Sequence, residues 1–266
     1  MTNIPIALNL YSLAKDCERD LAGTLAEIAR MGFNGVEFMT YYGRSAAELR
    51  RMLDDLGLKA AGVHIGSPGM GLGTCLEMLQ GDNLQRTVEF STTLGNKYIM
   101  VSALDHENMQ TRAAWLGFAA DLNEAAARLR PYGIHTGYHS DGWEFRPVEG
   151  EAPWDTLAAN TDEDVVLQLD TMTFAEQGGD PIYYLGKYAH RALTVHVVEY
   201  AKDNWTPLIG EGDIPWPEVF RICEAGGKTE WYIMEQERQP YPPLESVERS
   251  LENLRGILAQ CNALRS

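Results

Sequence analysis

Eight times along this chain a short apolar run rich in β-branched residues gives way to a segment with helical spacing. The runs are Ile4–Ser12, Gly35–Met39, Leu58–Gly66, Tyr98–Leu104, Ile134–Ser140, Val165–Met172, Leu193–Tyr200 and Trp231–Glu237. Between them, Leu21, Leu25, Ile28 and Ala29 mark a helix over Asp20–Met31 that Gly32 closes, and Ser45-Ala46-Ala47-Glu48 is a capping box opening a helix that runs to Leu56. Further helices are expected over Asp82–Leu94, Thr111–Leu129, Trp154–Ala159, Pro181–Ala189, Trp216–Ala225 and Leu244–Gln260. Strict alternation of this kind calls for parallel strands with helical crossovers. Eight units in 266 residues, close to the ~250 typical of the fold, predict a single (β/α)8 TIM barrel over residues 1–266. An open doubly wound sheet uses fewer strands and often a glycine-rich first turn, which does not follow Ile4–Ser12.

Four of these strands carry a metal-ligand type of side chain late in the run: His139, Asp170, His196 and Glu235. In Leu193–Tyr200, Leu193, Val195 and Val197 share one face of the strand while Thr194, His196 and Val198 share the other. Burying such polar groups costs free energy unless they are partnered, and one divalent cation partners imidazoles and carboxylates together. A lone histidine or aspartate at a strand end is more often a hydrogen-bonded structural group; four in register set the expectation of a shared metal site. Barrel enzymes place their chemistry at the carboxyl ends of the strands, which brings Glu37 and His64, late in the second and third strands, to the same rim.

A formal charge of -16, from 38 acidic and 22 basic residues, repels polyanions, and no Lys/Arg cluster offers a basic groove. Nucleic acid is therefore not an expected partner, and a small neutral molecule is. No apolar run reaches the ~18 residues of a membrane span and no basic leader precedes one. Cys17, Cys75, Cys223 and Cys261 are scattered without a CxxC pair. The expected setting is a reducing cytoplasm, away from membranes, with helix faces that permit a homo-oligomer. The glycine-rich Gly66–Gly81 lacks the Lys-Ser/Thr ending of a phosphate-binding loop and reads instead as an active-site loop.

The stretches GYHSDGWEF (Gly137–Phe145), LQLDTM (Leu167–Met172), TVHVVEY (Thr194–Tyr200), GEGDIPWPEVF (Gly210–Phe220) and WYIMEQE (Trp231–Glu237) together resemble the sugar phosphate isomerase/epimerase group of TIM barrels, similar to xylose isomerase and endonuclease IV. The resemblance spans nearly the whole chain. It implies one divalent metal ion (manganese, magnesium, cobalt or zinc) held by His139, Asp170, His196 and Glu235, and a sugar or keto-sugar as substrate. Mixed nitrogen and oxygen ligation leaves the metal open.

The departures bear on mechanism. Many epimerases of the group have a glutamate where His139 stands and use it with the last-strand glutamate as an acid/base pair. The chain looks nearest to a branch whose fifth strand ends in YHNHDFEF, with Asp141 in place of the second histidine. Thr173 and Lys202 stand where other epimerases place a histidine and an arginine. The resemblance implies an isomerase or epimerase acting through an enediolate, with Glu235 as base, or His64 or Glu144 if Glu235 serves only as ligand, and with Glu37, His64 and Lys202 on substrate hydroxyls. The same enolate that expels a β-substituent instead makes a dehydratase or lyase on a keto-inositol or 3-keto-glycoside. A barrel that only binds sugar is a third reading, and a DNA-repair endonuclease is disfavoured by the charge. Trp143, Trp205 and Trp216 are candidates for stacking on a sugar, with core or loop packing the commoner role for aromatics. His106, His135 and His190 read as structural or exposed, and Glu199 as part of a solvated charged loop.

Overall fold

Ser45 caps its helix as the sequence predicts: its hydroxyl accepts from the Glu48 amide while the Glu48 carboxylate accepts from the Ser45 amide. Such local signals recur around an eight-stranded parallel sheet. The computed structural model describes residues 4–65, 79, 81–102 and 104–263. Its strands are β1 (Ile6–Asn9), β2 (Gly35–Phe38), β3 (Lys59–Ile65), β4 (Tyr98–Val101), β5 (His135–His139), β6 (Val166–Gln168), β7 (Thr194–Val197) and β8 (Trp231–Met234). The helices are α1 (Ala14–Met31), α2 (Ala46–Leu56), α3 (Gly81–Leu94), α4 (Arg112–Leu129), α5 (Pro153–Asn160), α6 (Thr171–Glu176), α7 (Pro181–Lys187), α8 (Trp216–Gly226) and α9 (Pro243–Ala263). The strands run in the order β6-β5-β4-β3-β2-β1-β8-β7, with every ladder parallel. The two ends of that order meet through a single bridge, Asp170 with His196, and the His196 amide donates to the Leu169 carbonyl at 2.9 Å. The sheet is thus a nearly closed barrel, the (β/α)8 fold that the alternation implies.

Strand periodicity sorts the side chains into two layers. Tyr138, Leu167, Val195 and Val197 point outward into the large core shared with the helices. Ala7, Tyr98, Met100, Val166, Trp231 and Ile233 form a smaller cluster with the same strand parity as the polar residues further along, and so fill the lower barrel interior. Above this apolar floor the interior turns polar toward the carboxyl ends.

The strands are shorter than the apolar runs that announce them. The run Val165–Met172 yields β6 only as far as Gln168, because Asp170 caps the short α6 by accepting from the Thr173 amide at 2.8 Å. A continuous apolar stretch does not distinguish strand from helix, so α6 is not foreseen. The first helix begins at Ala14 rather than Asp20, but Asp20 has non-helical dihedrals inside α1 and accepts from the Gly23 amide at 3.0 Å. The helix therefore restarts where the sequence places its beginning. Gly66–Gly81, expected as an active-site loop, lies outside the described residues apart from Leu79 and Gly81.

Candidate metal centre and active site

Glu37, third residue of β2, is wholly buried and gathers donors from four strands. Its Oε2 accepts from Asn9 Nδ2 at 2.7 Å and faces His196 Nε2 at 2.7 Å and His64 Nε2 at 3.2 Å. Its Oε1 accepts from Gln168 Nε2 at 3.1 Å. Burial alone raises its pKa, but the imidazoles of His64 and His196 outweigh that and hold it well below the usual carboxylate range. Gln168, the last residue of β6, completes the layer: its Nε2 also donates to Thr194 Oγ1 at 2.8 Å, and its Oε1 lies 3.0 Å from His64 Nε2 and 2.9 Å from His139 Nδ1. Burial, then the neighbouring His196 and His64, push the His139 pKa well down, which keeps its imidazole neutral.

One step nearer the rim, Asp170 Oδ2 and Glu235 Oε2 lie 3.7 and 3.0 Å from the same nitrogen, His196 Nδ1. Ligand atoms of Asp170, His196 and Glu235 all fall within 4.8 Å of one another, and all three residues are buried. Among the described residues no lysine or arginine pairs with either acid. Burial pushes Asp170 up to about 7, with His196 pulling it down and Glu235 pushing it up. Burial opposes charge on His196 too, yet Glu37 and Glu235 carry it to about 10. Two buried acids converging on one imidazole nitrogen, without another cationic side chain, fit a divalent cation by donor chemistry and by charge. A second group, His64, His139 and His196, also meets within 4.8 Å, but Glu37 and Gln168 already engage a nitrogen of each.

Above the centre opens a cavity of about 480 Å³ lined by His64, His139, Asp141, Glu235 and Glu237, with Glu18, Tyr11 and Tyr42 among its other walls. Of the expected site residues, the structure therefore joins His64, His139, Asp170, His196 and Glu235. The remaining three are placed otherwise. Glu37 lies beneath the cavity, committed to the imidazoles rather than to a substrate hydroxyl. Glu144 is buried beyond β5, its Oε1 accepting from the Asp141 amide at 2.7 Å, and it is not among the cavity's lining residues. Lys202 is exposed, its amide donating to Asp213 Oδ2 at 2.9 Å, and it too is absent from that lining.

Sequence reasoning missed Asn9, Gln168 and Glu237. Period two in LQLDTM and WYIMEQE puts Gln168 on the face of Asp170 and Glu237 on that of Glu235, which was the available signal. It also misplaced Glu199, which is buried and accepts from the Gly210 and Ile214 amides and from Trp216 Nε1. Trp216 is a core residue stacked on Phe220. Trp205 is exposed beneath the Arg238 guanidinium, and Trp143 packs against Trp115.

The family model of the xylose isomerase-like TIM barrel matches residues 25–257, and the chain belongs to that family. It is 23% identical over 294 residues to the rhizopine catabolism protein MocC of Rhizobium meliloti, covering 97% of this chain and 90% of that one. It is 26% identical over 255 residues to the inosose dehydratase of Bacillus thuringiensis (strain Al Hakam), covering 81% and 82%. A solved sugar phosphate isomerase/epimerase of Parabacteroides distasonis superposes with a TM-score of 0.76 at 21% identity, covering 94% and 93%. The IolI protein, solved with a zinc atom, gives a TM-score of 0.70 at 15% identity, covering 97% of each chain. At such identities the two structures speak for the shared fold. No helix among the described residues is long and apolar enough to cross a membrane.

Proposed function

We propose that this chain is a divalent-metal-dependent lyase of the dehydratase type, acting on an unphosphorylated keto-polyol or keto-sugar. The observation that carries the reading is the meeting of Asp170, His196 and Glu235 beneath an acid-lined cavity. Together with His139 these residues would hold the cation, and the zinc atom of the IolI structure supports a metal-dependent reading. When bound, such a cation polarises a carbonyl and acidifies the adjacent C–H. His64 is the base: its Nε2 faces two acceptors, Glu37 Oε2 and Gln168 Oε1, so Nδ1 keeps the lone pair. Glu237, on the same cavity wall as Glu235, donates a proton to the departing oxygen. With the C–H bond broken, its electron pair forms the new C=C as the β C–O bond breaks, and the hydroxyl leaves as water.

Two features favour elimination over epimerisation. A proton swap between the two faces of one carbon calls for matched acid/base groups on both sides, and β5 ends in His139, whose Nδ1 is committed to Gln168. The 26% identical relative is a dehydratase. Isomerisation or epimerisation is the second reading, favoured by proton-handling groups on two arcs of the rim, His64 on β3 and Glu237 beyond β8. The absence of phosphate follows from charge. The cavity lining includes Glu18, Asp141, Glu235 and Glu237 and no lysine or arginine among the described residues, and the undescribed 66–78 contain neither residue type.

The test is incubation of keto-inositols and 3-keto-glycosides with metal-reconstituted protein in D₂O. Elimination predicts a conjugated carbonyl absorbance with release of water or aglycone, abolished by His64→Ala and by chelation. Deuterium entering beside the carbonyl while the carbon skeleton and hydroxyls stay intact supports the second reading instead. A protein that binds no metal and turns over none of these compounds contradicts both.

A further inference from the structure

Glu37 and Gln168 lie below the cavity, touch none of the space a substrate would fill, and yet contact every imidazole of the site. Three orientations follow from which groups accept and which donate. The Glu37 carboxylate only accepts, so the side of the Gln168 amide that faces it at 3.1 Å is the NH₂. That turns the Gln168 carbonyl oxygen toward His64 Nε2 and His139 Nδ1, at 3.0 and 2.9 Å. Each of these nitrogens must then carry a hydrogen. The same reasoning applies to His196 Nε2, 2.7 Å from Glu37 Oε2. The nitrogens left over are His64 Nδ1 and His139 Nε2; His196 Nδ1 faces Asp170 and Glu235 and is the nitrogen that would exchange its hydrogen for a cation held between those two acids.

We infer that Glu37 and Gln168 are paired positioning residues which together set the tautomers of His64, His139 and His196 in the metal-loaded site, leaving one nitrogen of each for the substrate and cation side. The inference rests on the proposed metal-dependent reading of the site but not on which reaction follows. Two parts of the fold make the pair effective. Asn9 Nδ2 and Thr194 Oγ1 anchor its outer ends, at 2.7 and 2.8 Å, so neither side chain is free to swing away. Gly62 is the second part: a Cβ there would meet Glu37 Oε1 at 2.7 Å, so the β3 backbone is kept bare where the carboxylate lies against it. Outer carboxylates and amides of this kind orient ligating histidines and typically change metal affinity by roughly 10–100-fold when removed.

The experiment is long-range ¹H–¹⁵N correlation spectroscopy of the histidine rings in the zinc-loaded protein, with resonances assigned by single histidine substitutions. The expected pattern is Nε2–H for His64 and His196 and Nδ1–H for His139. A His139 ring found as Nε2–H, or a His64 ring as Nδ1–H, overturns the inference whether or not the protein is catalytically active. Zinc competition titrations of Glu37→Gln and Gln168→Leu supply the second readout. Affinity lower by roughly tenfold or more, with circular dichroism unchanged, supports it, and wild-type affinity in both variants with unchanged ring spectra refutes it. Should either variant fail to fold, the wild-type ring spectrum alone decides. An inactive protein with the expected tautomers would discard the dehydratase reading and leave this one standing.

Discussion

Glu144 shows how far the surroundings of one carboxyl can be set against its charge. Burial first, then the nearby Asp141, raise its pKa from 4.5 to about 8, against the pull of the Asp141 amide, and its Oε2 finds no hydrogen-bond partner among the described residues. The folded state holds this proton where the unfolded chain has released it. The stabilising contribution is complete below the unfolded value near 4.5 and is lost as pH rises through about 8, a range worth on the order of 5 kcal/mol. Glu144→Gln, which never ionises, is expected to flatten the dependence: melting temperatures of wild type and variant, compared from pH 5 to 9, should diverge upward in favour of the variant. Parallel pH profiles would show that the buried carboxyl is already ionised in the fold. The residue type alone gave no hint of this. Glu144 in GYHSDGWEF reads as readily as a base as it does as a structural acid, and only its position beyond β5, outside the cavity, separates the two.

Elements carry constraints that single residues do not. On β5, Gly137 pairs with Val166 of β6, and a Cβ at that position would collide with the Val166 backbone carbonyl. Gly137→Ala is expected to push the two strands apart at the point where His139 and Gln168 must meet, costing about 1–3 kcal/mol and lowering the urea midpoint; a midpoint equal to wild type would mean that the strands part without loss. Between β7 and α8 the loop is shaped by Glu199, whose carboxylate collects the Gly210 and Ile214 amides and the Trp216 indole. Its replacement by alanine leaves those buried donors without an acceptor. A loss of roughly 2–4 kcal/mol is expected, read by denaturant unfolding, with Glu199→Gln in between.

At the scale of the whole barrel the weakest seam is also where the candidate cation would sit. β6 and β7 share one backbone bridge, Asp170 with His196, and are otherwise joined by side chains: Gln168 to Thr194, and Thr171 Oγ1 to the Val198 carbonyl at 2.7 Å. A cation gripped by Asp170 and His196 would pin both sides of that seam. Chelation is therefore expected to lower the melting temperature and to speed hydrogen exchange of the His196 amide more than that of central strands such as β2. Free metal at a hundredfold excess over Kd should restore about 2.7 kcal/mol. Equal exchange rates with and without metal would place the cation elsewhere.

The sequence by itself determined the architecture, because alternation of short apolar runs with capped amphipathic segments is local chemistry that each stretch carries on its own. It determined as well that His139, Asp170, His196 and Glu235 stand at or just past the carboxyl ends of their strands, since period two and the carboxyl-end rule need no coordinates. What only the tertiary structure decided is the work of each polar group. Glu37 reads like a rim residue, yet the parity of β2 and the neighbouring imidazoles bury it under the site; Gln168 reads like strand filler, yet closure of the barrel sets its amide among four other strands. Hydrogen-bond direction is a property of pairs, and the partners of Glu37 lie 27 to 159 residues away along the chain.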